Sequence, residues 1–253
     1  MLRRAPRPLS RLWHGPARGA LLALCLWLPA PLSAEIAAAR YTEPTDRYPH
    51  AVLGDAIEHA GLEVTLASGA RVGIRWPDTI VFEDIAPRVV DVTGDGAPEV
   101  IVVESHDRRG ARLAVYGLKD ATLRLLAATD FIGTRFRWLA VVGAADLDGD
   151  GAIEIAYVDR PHLAKTLRVW RVVSLDADTT MLENAGTLPG VTNHRIGEDY
   201  ISGGIRDCGG APEMIVADAS WTRILAVTLA DTLETRDIGP FRGRASIDAA
   251  LTC

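Results

Sequence analysis

Between residues 146 and 154 the chain reads Asp146-Leu147-Asp148-Gly149-Asp150-Gly151-Ala152-Ile153-Glu154, with carboxylates at positions 1, 3, 5 and 9 and glycine at 6. Alternating acids on a tightly reversed loop bring several oxygens to one point, and a hard cation such as Ca²⁺ takes six to eight oxygens at about 2.3–2.6 Å. Glycine permits the reversal because it adopts positive φ without steric cost. The candidate Ca²⁺ ligands are therefore Asp146, Asp148, Asp150, Ala152 and Glu154. A second loop, Asp91-Val92-Thr93-Gly94-Asp95-Gly96-Ala97-Pro98-Glu99, repeats the device with Thr93 in place of one acid. Asp91, Thr93, Asp95, Ala97 and Glu99 form a second set, expected to bind more weakly. The competing reading is an Asp-Gly hairpin turn selected only for its positive φ, but a turn alone does not require acids at 1, 3 and 5. Neither loop is an EF-hand, because position 12 is Val102 in one and Tyr157 in the other instead of a bidentate glutamate.

The loops belong to a repeat. Pro87 to Glu104 and Ala140 to Asp159 align with Asp91 on Asp146, a shift of 55, and downstream Gly110 to Tyr116 corresponds to Lys165 to Trp170. A third copy, Cys208 to Asp218 followed by Thr222 to Val227, has lost its loop aspartates; a shorter one lies at Gly61 to Leu66 and Gly69 to Trp76. Glu63, Glu99, Glu154 and Glu213 then share one position. The apolar runs are short, rich in Val, Ile and Leu and bounded by Gly, Asp and Pro, with no sustained helical period. In the copy covering 87–130, strands are expected near 87–92, 99–104, 111–117 and 122–128. Four short antiparallel strands per repeat predict an all-β fold class, a small β-propeller of about four four-stranded blades. Its repeats would cover about 49–84, 85–130, 136–188 and 198–238. A stack of hairpins in a sandwich also explains the strands, but not their fixed order.

At these residues the chain resembles the FG-GAP or VCBS repeat family, whose blades are similar to those of the integrin α-subunit propeller. The resemblance covers about residues 82–230 and is most specific at Asp-x-Asp-x-Asp-Gly between two apolar strands. It implies that the loop joins the first two strands of a blade and holds calcium through Asp146, Asp148, Asp150 and Glu154, and less surely through Asp91, Thr93, Asp95 and Glu99. The third copy departs from it, with Ile205, Asp207 and Gly209 at the ligand positions.

A ring must close, since an open end leaves an unpaired edge. The tail Phe241 to Leu251 resembles Phe136 to Asp146, so a closing strand is expected at 241–253; a rival closure uses Tyr48 to Asp55. With the tail so aligned, Cys208 and Cys253 fall in equivalent loops of neighbouring blades and become a candidate disulfide, the alternative being two unrelated thiols.

Residues 1–34 carry five arginines and no acid, then the apolar run Ala20 to Leu28 and a small-residue end at Ser33-Ala34. This reads as a cleaved signal peptide, the run being about half the length a membrane anchor requires. Export to the periplasm or the extracellular space follows, and fits a disulfide. All 33 acids but only 22 of the 27 basic residues lie beyond position 34, a formal charge of −11. That sign excludes a phosphate-tracking nucleic-acid binder and favours cationic or calcium-bridged partners.

No Gly-x-Ser-x-Gly, His-Glu-x-x-His, Cys-x-x-Cys or phosphate loop occurs. His50, His59, His106, His162 and His194 are scattered, with His106 and His162 expected on one rim. Trp76, Trp138, Trp170 and Trp221 are candidates for stacking on a sugar or peptide, Trp170 rather for packing between blades. The favoured function is a non-catalytic, calcium-binding interaction module for an unknown protein or glycan, with no nucleic acid and no membrane span. The alternative is an exported hydrolase or lyase on the same scaffold.

Overall fold

The computed structural model describes residues 35–174 and 179–253. The expected signal peptide lies outside the described residues. The chain opens with β1 (Ile36–Thr45), β2 (Glu58–Leu66), β3 (Arg71–Arg75) and β4 (Ile80–Phe82). The copy with the Asp91 loop folds as β5 (Arg88–Val90), β6 (Glu99–His106), β7 (Gly110–Lys119) and β8 (Thr122–Ala128). The copy with the Asp146 loop folds as β9 (Leu139–Ala145), β10 (Glu154–Asp159), β11 (Thr166–Ser174) and β12 (Thr180–Pro189). After β13 (Val191–Thr192), the third copy gives β14 (Gly204–Arg206), β15 (Glu213–Asp218), β16 (Arg223–Leu229) and β17 (Leu233–Pro240), and α1 (Arg244–Ala250) follows. The all-β expectation holds, and the four strands expected within 87–130 are all present.

Every ladder is antiparallel, in three sheets: β1 to β8, then β9 to β12, then β13 to β17. The central strands are buried on both faces, and their alternating side chains serve two different cores. Along β6, Val100 and Val102 face a core with Leu62, Val64 and Phe82. Ile101 and Val103 face another with Leu139, Val141 and Ile155. Along β10, Ile155 and Tyr157 join that second core, while Ala156 and Val158 meet Met214 and Val216 of β15. The sheets therefore stack in series, each separating two apolar layers. This is why the strands read as continuous apolar runs instead of alternating ones.

Several boundaries differ from expectation. The first two copies share one sheet, because β4 pairs with β6 from Ile80↔His106 to Phe82↔Glu104 and touches β2 at His59↔Phe82. Residues 36–45, assigned to no repeat, form β1 and pair along β2. Glu63 lies inside β2, opposite Arg40 and Gly73, and not at the head of a strand. Among the described residues no strand pairing joins the third sheet to the first. Neither expected closure forms a strand: Tyr48 to Asp55 is loop, and the tail is helix α1, not a closing strand at 241–253. Arg-Ala-Ser-Ile-Asp-Ala-Ala lacks the Val-Val of β9 and is rich in alanine, the best helix former. Helix α1 inserts Ile247, fully buried, against Ile215, Ile224 and Ala226, covering the outer face of the last sheet. Cys208 and Cys253 are bonded, with Cα atoms 5.6 Å apart, so the bridge ties the end of the helix to the β14–β15 loop.

Two outcomes follow. The bridge closes 45 residues, so replacing both cysteines by serine lowers the unfolding free energy by about 2–4 kcal/mol, measured by urea denaturation; an unchanged midpoint refutes a structural role. Glu58, 3% exposed, is pushed above the usual glutamate range by burial and then by Glu83, Asp55 and Asp84. The folded state keeps this proton where the unfolded chain has lost it, so stability falls as pH rises above the unfolded glutamate pKa. Glu58→Gln flattens that decline, and equal slopes in both proteins would count against it.

Candidate functional site

The two acidic loops are built on one scaffold. Asp146 accepts hydrogen bonds from the amides of Gly149 (2.8 Å) and Gly151 (3.0 Å); Asp91 accepts them from Gly94 (2.8 Å) and Gly96 (2.9 Å). The amide of Ala152 donates to Asp150 (2.9 Å) and that of Ala97 to Asp95 (2.8 Å). Glu154, at the head of β10, reaches back to the amide of Leu147 (2.9 Å), as Glu99, at the head of β6, does to that of Val92 (2.9 Å). Gly94, Gly96, Gly149 and Gly151 all have φ between 76° and 91°, and a Cβ there would meet no atom within 4 Å. They are glycine for backbone conformation, not for space.

What surrounds the loops differs. Asp146, Asp148 and Glu154 bring ligand oxygens within 4.8 Å of one another, the only such group of three acidic, histidine or cysteine residues among the described residues. Oxygens about 2.4 Å from one ion lie at most about 4.8 Å apart, so this triad fits a cation in spacing. A cation of the chain's own already faces it. Arg171, opposite Glu154 on β11, places Nε 2.7 Å from Glu154 and Nη1 3.0 Å from Asp150, while Nη2 contacts Asp148. Burial pushes the Glu154 carboxyl up, and the Leu147 amide and Arg171 oppose it.

The register that sets Val100 opposite Tyr116 puts Gly117 where the other loop has Arg171. The Cβ position of Gly117 is 3.5 Å from Glu99 Cγ. Without a guanidinium, and with Asp95 and Asp91 nearby, burial holds the Glu99 carboxyl up at about 6. Asp91, Asp95 and Glu99 do not converge as the triad does, although Thr93 Oγ1 donates to Glu99 at 3.4 Å. In the third copy Glu213 is held by Arg206 (2.6 Å) and Arg236 (2.6 Å).

At the other end of β9 the chain brings together residues with no sequence motif in common. His50 contacts the fully buried Glu83 through Nδ1, and the Ser105 hydroxyl donates to the other Glu83 oxygen. Trp138 Nε1 donates to the Glu83 carbonyl at 2.7 Å. His194 Nε2 donates to the carbonyl of Glu198 at 2.9 Å, so its Nδ1 accepts from His162 Nε2, also at 2.9 Å. Burial, then the neighbouring His194, His50 and Lys165, lowers His162 to about 4, leaving it neutral at pH 7. His106, expected on one rim with His162, has partners of its own and faces Asp107 and Phe131. His59 stacks on Tyr41. Trp170 packs against the core between the first two sheets, as expected. Trp76 Nε1 donates to Glu104 (3.0 Å), and Trp221 packs on Phe241 under Arg195.

Residues 91–157 match a family model described as an FG-GAP-like repeat. The matched span starts at the first acid of one loop, ends within β10 and contains both acidic loops. This stretch of the chain is therefore similar to an FG-GAP-like repeat. No curated protein matches it.

Arg171 was invisible as a partner because the repeat alignment pairs the strand aromatics and not the residue opposite the glutamate. Arg171→Met, assayed in chelator, lowers stability by about 2 kcal/mol because Glu154 loses its cation. Arg171→Lys recovers only part, since an ammonium cannot span three carboxylates. Equal stability of all three proteins in urea denaturation would show that the contacts carry no weight.

Proposed function

We propose that this is an exported, calcium-braced interaction module of the β-propeller kind. The observation that carries the reading is the convergence of Asp146, Asp148 and Glu154 on a scaffold repeated at Asp91 to Glu99. In this reading Asp146, Asp148, Asp150, Ala152 and Glu154 hold one ion and Asp91, Thr93, Asp95, Ala97 and Glu99 a second. The ion supplies positive charge where strand-head carboxylates enter the interior and thereby fixes the turn between a blade's first two strands. The residues themselves orient the oxygens through the shared amide hydrogen bonds.

The Cys208–Cys253 bridge supports an oxidising compartment, and no helix among the described residues is long and apolar enough to cross a membrane. The basic and apolar residues of 1–34 support export. The partner in this reading is a protein or glycan. The alternative, a hydrolase or lyase, gains one observation: Glu83 orients His50 in the way carboxylates orient imidazole bases. Ser105, however, is fully buried and bonded to Glu83, so it is no exposed nucleophile, and the interaction module remains the better account.

Thermal unfolding with and without chelator tests the metal. Calcium at a hundred times its dissociation constant stabilises the wild type by about 2.7 kcal/mol, and Asp148→Ala loses most of that shift. Arg171→Met gains a larger shift than the wild type, because guanidinium and ion compete for the same oxygens. Identical melting with and without chelator in all three proteins would overturn the reading.

A further inference from the structure

Between the 129–132 segment and the facing strands β10 and β11 lies a cleft of about 200 Å³, at the end of the second sheet away from its acidic loop. Register explains what lines it. Tyr157 stands opposite Arg168, with Asp159 two residues further along β10 and Trp170 two residues further along β11. All four therefore project from one face of the sheet, the face that packs toward the first sheet.

The charges of the cleft cancel, yet both donors and an acceptor are left over. Asp159, 3% exposed, accepts from Arg160 Nε (2.8 Å) and Nη2 (3.0 Å) and from Arg168 Nε (3.0 Å). Burial works against its charge, but these two guanidiniums hold the carboxyl below the usual aspartate range. Arg160 Nη1 and both terminal nitrogens of Arg168 make no hydrogen bond among the described residues. On the opposite wall Asp130 is exposed and meets no cation among the described residues. Two acids and two guanidiniums give no net formal charge.

Aromatic rings supply the rest. Trp170 is partly exposed, with Nε1 buried beside the Tyr157 hydroxyl but without a hydrogen bond of ordinary geometry. Burial pushes the Tyr157 phenol up to about 12, so it stays protonated. Phe131 is fixed by the guanidiniums of Arg109 and Arg112, 4.2 Å and 4.5 Å from its centroid, which orders that wall before a ligand arrives. The corresponding place between the first two copies is closed by the chain itself. Glu104, aligned with Asp159 in the repeat, is fully buried and takes the Trp76 indole (3.0 Å), Arg112 (2.6 Å) and the hydroxyl of Tyr116, the residue aligned with Trp170. Among the described residues no aromatic donor reaches Asp159, and the space stays open.

We propose that this cleft binds one ring of a neutral pyranose glycan, with the C–H face of the sugar on Trp170 and its hydroxyls shared between Asp130 and Arg168. A sugar hydroxyl both donates and accepts, so it can use an unpaired carboxylate and a spare guanidinium N–H together. The C–H face of the ring suits an indole. An anionic sugar brings a charge that the cancelled cleft has no surplus to neutralise, and an open-chain polyol has the hydroxyls without the rigid face. The inference rests on the interaction-module reading and commits its partner to a glycan. Its test is run in chelator, so failure here leaves the calcium-dependent melting untouched, and failure there leaves this untouched.

The full chain is titrated with methyl glucoside, methyl galactoside and methyl mannoside, followed on the Trp170 indole N–H resonance, which is assigned by its loss in Trp170→Phe. At least one glycoside moves that resonance, with a dissociation constant in the millimolar range expected for so small a ligand. Sorbitol binds at least tenfold more weakly, and methyl glucuronide binds no tighter than the best neutral glycoside. Asp130→Ala, an exposed change that leaves the fold intact, weakens that glycoside about tenfold through loss of a hydrogen bond to a charged group. A Trp170 resonance unmoved by all three glycosides, or one moved at lower concentration by the glucuronide, overturns the proposal.

Discussion

A carboxylate at the head of a buried strand must find donors or a cation, because an unpaired buried charge costs several kcal/mol. The repeat places one there in each complete copy, and each copy meets the requirement differently. Glu154 takes the Leu147 amide and Arg171; Glu213 takes Arg206 and Arg236. Glu63, within a strand instead of at its head, takes Arg40 and stays about a quarter exposed, 25%. Glu99 has two amides and a threonine hydroxyl, and of Glu99, Glu154 and Glu213 it alone lacks a guanidinium. The loop with four acids thus draws one guanidinium from its own sheet, and the loop with three draws none.

The same strands explain the architecture. Because β6, β10 and β15 are buried on both faces, no sheet is stable alone; each depends on the neighbour that covers it. The stack ends where a different element supplies cover. At the C-terminal side that element is α1, whose single buried isoleucine and disulfide fasten it to the last sheet. A strand there would have had to pair with an edge; a helix satisfies its own backbone and needs only an apolar stripe.

Much of this was legible in the chain. The turns of the acidic loops and the strand positions in the repeats follow from local spacing, where residue type dictates conformation directly, whereas the cysteine pair forms although the closing strand that suggested it is a helix. What was not legible depends on register across strands or on distant segments. Arg171 meets Glu154 only because β10 and β11 pair at that register, and His50 meets Glu83 across 33 residues with no periodic signal. The tail misled because its likeness to β9 lay in alanines, which carry little strand preference, and not in branched residues.

Net charge, too, is a sum whose local values differ from place to place. The chain beyond residue 34 is strongly acidic, which points to cationic partners, yet among the described residues Arg137 meets no carboxylate at the end of β9 away from the acidic loops. Strand β9 separates the two: seven residues at about 3.3 Å each span roughly 23 Å, well beyond the Debye length of about 8 Å at physiological salt. Over that distance the loops do not set the field a small ligand meets in the cleft. The sign of the field at each end is fixed by its own side chains.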